Sequence, residues 1–453
     1  MQAVLWTAFA AGVAGGLLGI AARRVPIVGW ITLSPLGLAL ATCGGWAALT
    51  GAMLGSVLHG SAMLSQPARL RPLGFLFGGL GWGLSAGVGG VLFDALLASR
   101  LVSGPVALLC SLPVVSLLAT LPMRLAGAPR WVYAALACTQ EPWPVVIRAG
   151  WFGGDTTVSA LLALTATAAC LLVPGIAWGP GVAVSVIAFV LATLTTSAWA
   201  LARTRRSIPQ ERRVRIAAVV VNGSPPPGVA ADGLWPLHSL EYRDVEATIE
   251  RYAPHVKRAA KEGAELIVLP EVAVFADGDG RERWLDAVGI WASELGTTVV
   301  APYFDSKAPA NTLTVVEPSG RRLAYDKQHP APGLEPAPRG CQLPGPLPLE
   351  RGWSVSTVIC VDLDYEDLVL PVRAAAGLLV VPANDWMGFE EVHDRSAVWA
   401  AVLGETTVLR ATGHGICSVR DGAGRLLARS SSLDGPAVLI VDAPLASRGV
   451  EDS

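Results

Sequence analysis

About 200 residues with almost no charge precede an ordinary, charged stretch of chain, and that asymmetry limits what this sequence can fold into. From Met1 to about Ala202 ionisable side chains are scarce, and from Arg203 onward they are frequent. Only 15% of the 453 residues are charged and 52% are hydrophobic, whereas a soluble domain carries roughly 25% charged residues. The two parts therefore face different solvents. Seven apolar runs, 2–21, 26–43, 45–63, 73–93, 103–122, 156–174 and 181–201, approach the length of about 20 residues that crosses a bilayer. An eighth, 131–148, is interrupted by Glu141 and by prolines. Seven such runs do not fit inside one globular core. A formal net charge of −2 leaves no basic footprint for nucleic acid.

Within the apolar half, Gly12, Gly15, Gly16 and Gly19 form overlapping G-x-x-x-G pairs that suit close helix packing. The glycines from Gly78 to Gly90 lack the Lys-Ser/Thr of a phosphate loop, so packing is their reading as well. Arg23 and Arg24, Arg69 and Arg71, and Arg124 and Arg130 occupy alternate loops and so share one face, the cytoplasmic one by the positive-inside rule. Eight spans place the second half of the chain on the opposite face, and seven place it on the same face. No cleavable leader is expected at the start and no further span after the second half.

The second half alternates strand-like and helix-like patterns, which implies an α/β layered domain. Strands are expected at Arg215–Val221, Glu265–Leu269, Thr297–Pro302, Thr312–Glu317, Val355–Val361, Gly377–Pro382, Gly415–Arg420 and Ala437–Asp442. Helices are expected over 243–262, 281–295, 365–376 and 393–410, with a hairpin turn at Asp421-Gly422. The organisation expected is a membrane unit over 1–202, a basic linker over 203–212, a catalytic domain over 213–446 and a tail over 447–453.

Three segments place a reactive side chain just after a buried-looking strand, where sites of α/β sheets gather. They are LIVLPEVAVF with Glu271, LAYDKQHPAPGLEP with Lys327 and Glu335, and VSTVICVDLDYEDL with Cys360. A cysteine nucleophile needs a base, which Glu271 can supply. Lys327 can stabilise an oxyanion, and Glu335 can orient Lys327 or assist proton transfer. Taken singly, each has an ordinary structural explanation: a core thiol, a helix-terminal carboxylate, a solvated Asp-Lys pair. No G-x-S-x-G elbow accompanies His393 or His414, and His238 and Asp244 lack the H-x-x-x-x-D spacing. Seven cysteines with no C-x-x-C pair, and no H-E-x-x-H, imply neither a disulfide framework nor a metal site. No cofactor is expected.

Taken together, LPEVAV, YDKQH and VICVD resemble the Glu-Lys-Cys signature of the nitrilase (carbon–nitrogen hydrolase) superfamily, and VPANDWMG resembles its segment after the nucleophile. The resemblance covers about residues 213–445 and implies an αββα sandwich with Glu271, Lys327 and Cys360 as catalytic triad. The apolar half points to the membrane-embedded branch, the apolipoprotein N-acyltransferases. Lys327, His329, Pro332 and Glu335 are spaced like that branch's Lys-x-His-x-x-Pro-x-x-Glu, EPWPVVIRAG resembles its Phe-Pro-Trp hairpin, and WITLSPLGLAL resembles its early Trp-x-x-x-x-Pro-Leu stretch. The full expectation is a polytopic α-helical membrane domain followed by a nitrilase-like α/β αββα sandwich.

By resemblance, Cys360 takes an acyl chain from a phospholipid as a thioester and passes it to the N-terminal amine of a diacylglyceryl lipoprotein. The bilayer, the phospholipid and the lipoprotein are the expected partners, a monomer the expected state, and the extracytoplasmic face of a bacterial plasma membrane the expected place of catalysis. Trp235, Asp362, Asn384 and Trp386 are the further substrate contacts it implies. The chain departs from the branch in having Val361-Asp362 after the nucleophile instead of Tyr-Glu, a short segment from Glu335 to Cys360, and an additional span at 73–93. A membrane-tethered amidase acting on a small amide is the alternative, and a catalytically silent scaffold a third. Retention of all four catalytic positions argues against the third.

Overall fold

The computed structural model describes residues 2–43, 46–62, 71–125, 128, 130, 136–151, 154–171, 212–221, 244–330, 335, 337–341, 345–369, 377–385, 389–433 and 435–445. The chain divides into two compact units, Met1–Arg206 and Ser207–Ser453.

The first unit is helical: α1 (Gln2–Ala22), α2 (Ser34–Cys43), α3 (Ala47–Ala62), α4 (Arg71–Ala98), α5 (Gly104–Leu125), a single turn α6 (Pro144–Ile147) and α7 (Gly154–Leu171). Among the described residues five segments are long and apolar enough to cross a membrane: Gln2–Ala22, Pro26–Cys43, Gly78–Ala98, Gly104–Leu121 and Gly154–Leu171. The outward faces of α1 and α4 carry exposed Trp6, Leu17, Leu80, Leu84, Val88 and Val91, a surface suited to lipid and costly in water. The glycines act through close approach. A Cβ on Gly16 would lie 2.4 Å from Val57 Cβ, and one on Gly12 2.6 Å from the Thr50 carbonyl, so α1 and α3 touch through backbone. The α4 glycines likewise face α3 and α5, as packing requires. Residues 131–148 do not form one span: their described part is broken into the turns Ala137–Gln140 and Pro144–Ile147, followed by Arg148–Trp151. Prolines at positions 142 and 144 and a ring of polar partners explain the break, Gln140 accepting from Trp30 Nε1 at 2.9 Å and donating to the Pro26 carbonyl. The run 181–201 lies outside the described residues.

Among its described residues the second unit holds thirteen strands in two sheets. They are β1 (Arg213–Val220), β2 (Leu266–Val268), β3 (Val274–Ala276), β4 (Thr298–Asp305), β5 (Ala310–Val316), β6 (Arg322–Asp326), β7 (Leu347–Leu349), β8 (Trp353–Thr357), β9 (Leu378–Ala383), β10 (Thr407–Thr412), β11 (Ile416–Arg420), β12 (Leu426–Ser431) and β13 (Ala437–Pro444). One sheet runs β13-β1-β2-β4-β5-β6 with β3 beside β4, and the other runs β12-β11-β10-β9-β8-β7. The helices are α8 (Val245–Lys261), α9 (Gly278–Leu295), α10 (Glu366–Val369) and α11 (Glu390–Gly404).

The layering follows from the period of two in a strand. Ile216, Ala218 and Val220 of β1 point into the core shared with Val355, Leu378, Val380 and Leu409 of the other sheet. Ala217 and Val219 point the opposite way, onto Tyr252, Val256, Trp284 and Trp291 of α8 and α9. In β9, Leu379 and Val381 pack on Ala397, Ala400 and Ala401 of α11. Two sheets face each other with helices outside both, an αββα sandwich. One sequence expectation is corrected: helix over 393–410 gives way to strand, because α11 ends at Gly404 with Glu405 at φ 47°, and Thr407–Thr412 is β10. The β-branched Thr407, Val408 and Thr412 favour the pleated surface. The β11–β12 turn forms at Asp421, whose Oδ1 accepts from the amides of Ala423 and Arg425.

Candidate active site

Parallel strands β2, β8 and β9 end at one edge of the sandwich, and the residues after them converge there. Leu269-Pro270-Glu271 leaves β2, Lys327 leaves β6, Cys360 follows β8 and Asn384 follows β9. All four are buried.

The backbone is strained where the chemistry sits. Cys360 opens a tight turn (Cys360–Asp364) with φ 52°, and Val272, next to Glu271, has φ 49°. A β-branched residue at positive φ is an outlier, and such strain persists only where surrounding structure over-determines it. The turn aims the Cys360 side chain across the edge, where its thiol donates to the Asn384 carbonyl at 3.5 Å.

Glu271 accepts three hydrogen bonds. Its Oε1 accepts from Lys327 Nζ at 2.8 Å and from Asn311 Nδ2 at 2.8 Å, and its Oε2 accepts from the Asn384 amide at 3.0 Å. Asn384 Nδ2 also donates to the Glu271 carbonyl at 2.6 Å. Lys327 donates to Glu335 as well. Two of the three ammonium donors are thus committed, leaving one for a ligand oxygen among the described residues. Glu335 Oε2 is buried without a hydrogen-bond partner among them.

The electrostatics follow from burial with few counter-charges. Burial works against the Lys327 ammonium, but Glu271 and Glu335 outweigh it and hold the group well above the lysine range. Burial, opposed by Lys327, lifts Glu335 to about 7. Burial and then the Glu271 carboxylate push the Cys360 thiol well up, with Lys327 pulling the other way. Cys360 therefore rests as a thiol, and it becomes thiolate only where a base takes its proton.

The four expected catalytic side chains lie in this one cluster. Asn384, expected to contact substrate, spends its amide, carbonyl and Nδ2 on Glu271 and Cys360. Asp362, expected likewise, is buried and turned inward. It accepts from Tyr325 Oη at 3.0 Å and from the amides of Gln328, His329 and Ile359 at 3.2, 2.7 and 3.3 Å. It ties the Lys327 segment to the nucleophile turn, and burial lifts it to about 6. Trp235 and Trp386 lie outside the described residues. Sequence reasoning missed Asn311, which lies in no motif, and gave no role to Tyr325, the first residue of YDKQH. At the rim, His329 stacks on Tyr365 with ring centroids 3.5 Å apart. Burial and then Arg339 depress His329 to about 4, so it is neutral at pH 7.

No family model matches the sequence, and no curated protein does. The chain is similar to solved structures of an amidase from Nesterenkonia sp. AN1. One is a cysteine-to-alanine mutant in complex with butyramide, with 19% identity over 52% of this chain and 93% of that one and a TM-score of 0.44. Another is a glutamate-to-glutamine mutant with the acetamide moiety of fluoroacetamide added covalently at its active-site cysteine, with 19% identity over 52% and 92% of the chains and a TM-score of 0.44.

Proposed function

We propose that this chain is a membrane-embedded cysteine acyltransferase of the nitrilase type that moves an acyl chain from a phospholipid to the α-amine of a diacylglyceryl-cysteine lipoprotein. The observation that carries the reading is Cys360, held on a left-handed turn beside the buried Glu271–Lys327–Glu335 cluster. Five membrane-length apolar helices among the described residues of the same chain favour a lipid as acyl donor.

Glu271 takes the Cys360 proton as sulfur attacks the ester carbonyl carbon. The free N–H of Lys327 receives the developing oxyanion. The carbon–oxygen ester bond breaks, Glu271 returns the proton to the departing alkoxide, and a lysophospholipid leaves. The amine then attacks the thioester, Glu271 takes its proton, and the carbon–sulfur bond breaks as Glu271 passes that proton to the departing thiolate, restoring the thiol and the carboxylate. A dry site favours the amine over water. Asn384 and Asp362 hold the base, the cation and the nucleophile in register.

Intact mass after incubation with phospholipid, beside Cys360→Ala, tests the reading. The expected result is an added acyl mass on the wild type, removed by hydroxylamine and missing from the variant. No adduct, together with ammonia released from butyramide, would instead make the protein a membrane-tethered amidase.

A further inference from the structure

Behind the nucleophile lies a second buried cluster that the proposed acyl transfer does not use. Asp364 ends the turn that Cys360 begins, and Asp385 follows Asn384. His393 of α11 stands between them, with Nδ1 2.5 Å from Asp385 Oδ1 and Nε2 3.3 Å from Asp364 Oδ2. Arg410 of β10 closes the group, with Nη2 2.9 Å from Asp385 Oδ1 and 3.1 Å from His393 Nδ1. All four side chains are buried, and the Phe389 ring covers the imidazole at 5.5 Å.

A neutral imidazole has one N–H and cannot donate to carboxylates at both nitrogens, whereas an imidazolium can. With His393 charged, two anions balance two cations; without that proton the buried group carries one uncompensated negative charge. We propose that His393, as an imidazolium clamped between Asp364 and Asp385, is a positioning residue that locks the nucleophile turn to the Asn384 segment and so fixes Cys360 against Glu271. This rests on Cys360 being the nucleophile. Burial and the Arg410 guanidinium oppose the charged form, but the hydrogen-bonded Asp385 carboxylate, with the Asp364 carboxylate in charge contact 3.3 Å from Nε2, raises His393 to about 9. Asp364 faces it from the turn after β8, Asp385 from the segment after β9 and Arg410 from β10. On its own helix Asp394 is occupied by Ser418 and Arg420 of β11. Glu390 and Asp385 both face His414, whose imidazole burial holds below its ordinary range.

The test is the rate of Cys360 alkylation by iodoacetamide in the full-length protein, followed by peptide mass from pH 6 to 10.5. In the wild type the rate rises with pH and then breaks downward near pH 9. Asp364→Asn removes one of the two carboxylates and moves the break down by about one pH unit. His393→Gln abolishes the break and lowers the rate at pH 7.5 about tenfold. A purely structural role would lower the folded fraction without moving the break. A folded His393→Gln protein that alkylates like the wild type at every pH overturns the proposal. So does a wild type with no break, even if both variants fail to fold. An intact break in a protein that forms no acyl adduct from phospholipid would overturn the lipid reading and leave His393 its role.

Discussion

At the scale of single residues, the site is a problem of keeping few charges dry. Among the described residues Lys327 is the cation that touches both Glu271 and Glu335, so its loss would remove the proposed oxyanion donor and leave two carboxylates facing each other. Lys327→Met should therefore lower kcat by about 10²–10³-fold while Cys360 remains open to alkylation. Steady-state rates beside a maleimide assay check both halves, and normal turnover would remove Lys327 from the chemistry. Asp362 makes a different demand, since four donors converge on its two oxygens. Asn at that position presents an NH₂ to backbone N–H groups, so Asp362→Asn should lose stability by about 1–3 kcal/mol, read as a lower unfolding midpoint. An unchanged midpoint would mean that those donors find other partners.

At the scale of elements, strand ends and turns do the positioning. The β10–β11 connection shows why particular residues are required. Gly415 has φ 145°, and a Cβ there would lie 2.4 Å from Asp385 Oδ2. Gly415→Ala is expected to destabilise the protein by more than about 1 kcal/mol and to loosen the Asp385–His393 contact, which thermal unfolding and the alkylation profile would report together. His393 also sets a pH dependence for the unit. Its folded pKa lies above the value of 6.5 for a free imidazole, so its contribution is fully present below pH 6.5 and is lost as pH rises through about 9. The unfolding midpoint of the wild type should fall over that window, and that of His393→Gln should stay flatter. Parallel curves would remove the linkage.

At the scale of the whole molecule, two units obey two different solvents. The helical unit exposes large apolar side chains and packs its helices through glycine, whereas the sandwich buries its apolar side chains on both faces of each sheet. Gly16→Leu should therefore separate α1 from α3 and shorten the protein's half-life in detergent without changing its membrane fractionation. Retained stability would show that the pair can repack. The family resemblance implies catalysis on the extracytoplasmic face, whereas dropping 131–148 from the span count puts the catalytic unit on the cytoplasmic side; the first predicts that exposed Cys341 in intact spheroplasts reacts with a membrane-impermeant maleimide. Protection until lysis would place the catalytic unit in the cytoplasm.

Much of this was legible in the chain alone, for local reasons. Apolar run length, the G-x-x-x-G pairs and the period of two in β1 and β9 depend only on neighbours, so the membrane-length helices and most strands could be read directly. Glu271, Lys327, Cys360 and Glu335 could be read because each sits in a short flanking pattern at a strand end. What lacked a local signal was decided by tertiary contacts. The helix expected over 393–410 broke because its last residues pair in register with β9. Residues 131–148 form no single helix because Gln140 and Trp30, distant in sequence, bond each other. Asn311, Tyr325 and the Asp364–Asp385–His393–Arg410 group became meaningful only when residues up to 40 positions apart bonded one another at one buried edge. The chain specified which groups are chemically able to react; the fold decided which of them face one another and, by excluding water, what charge each one carries.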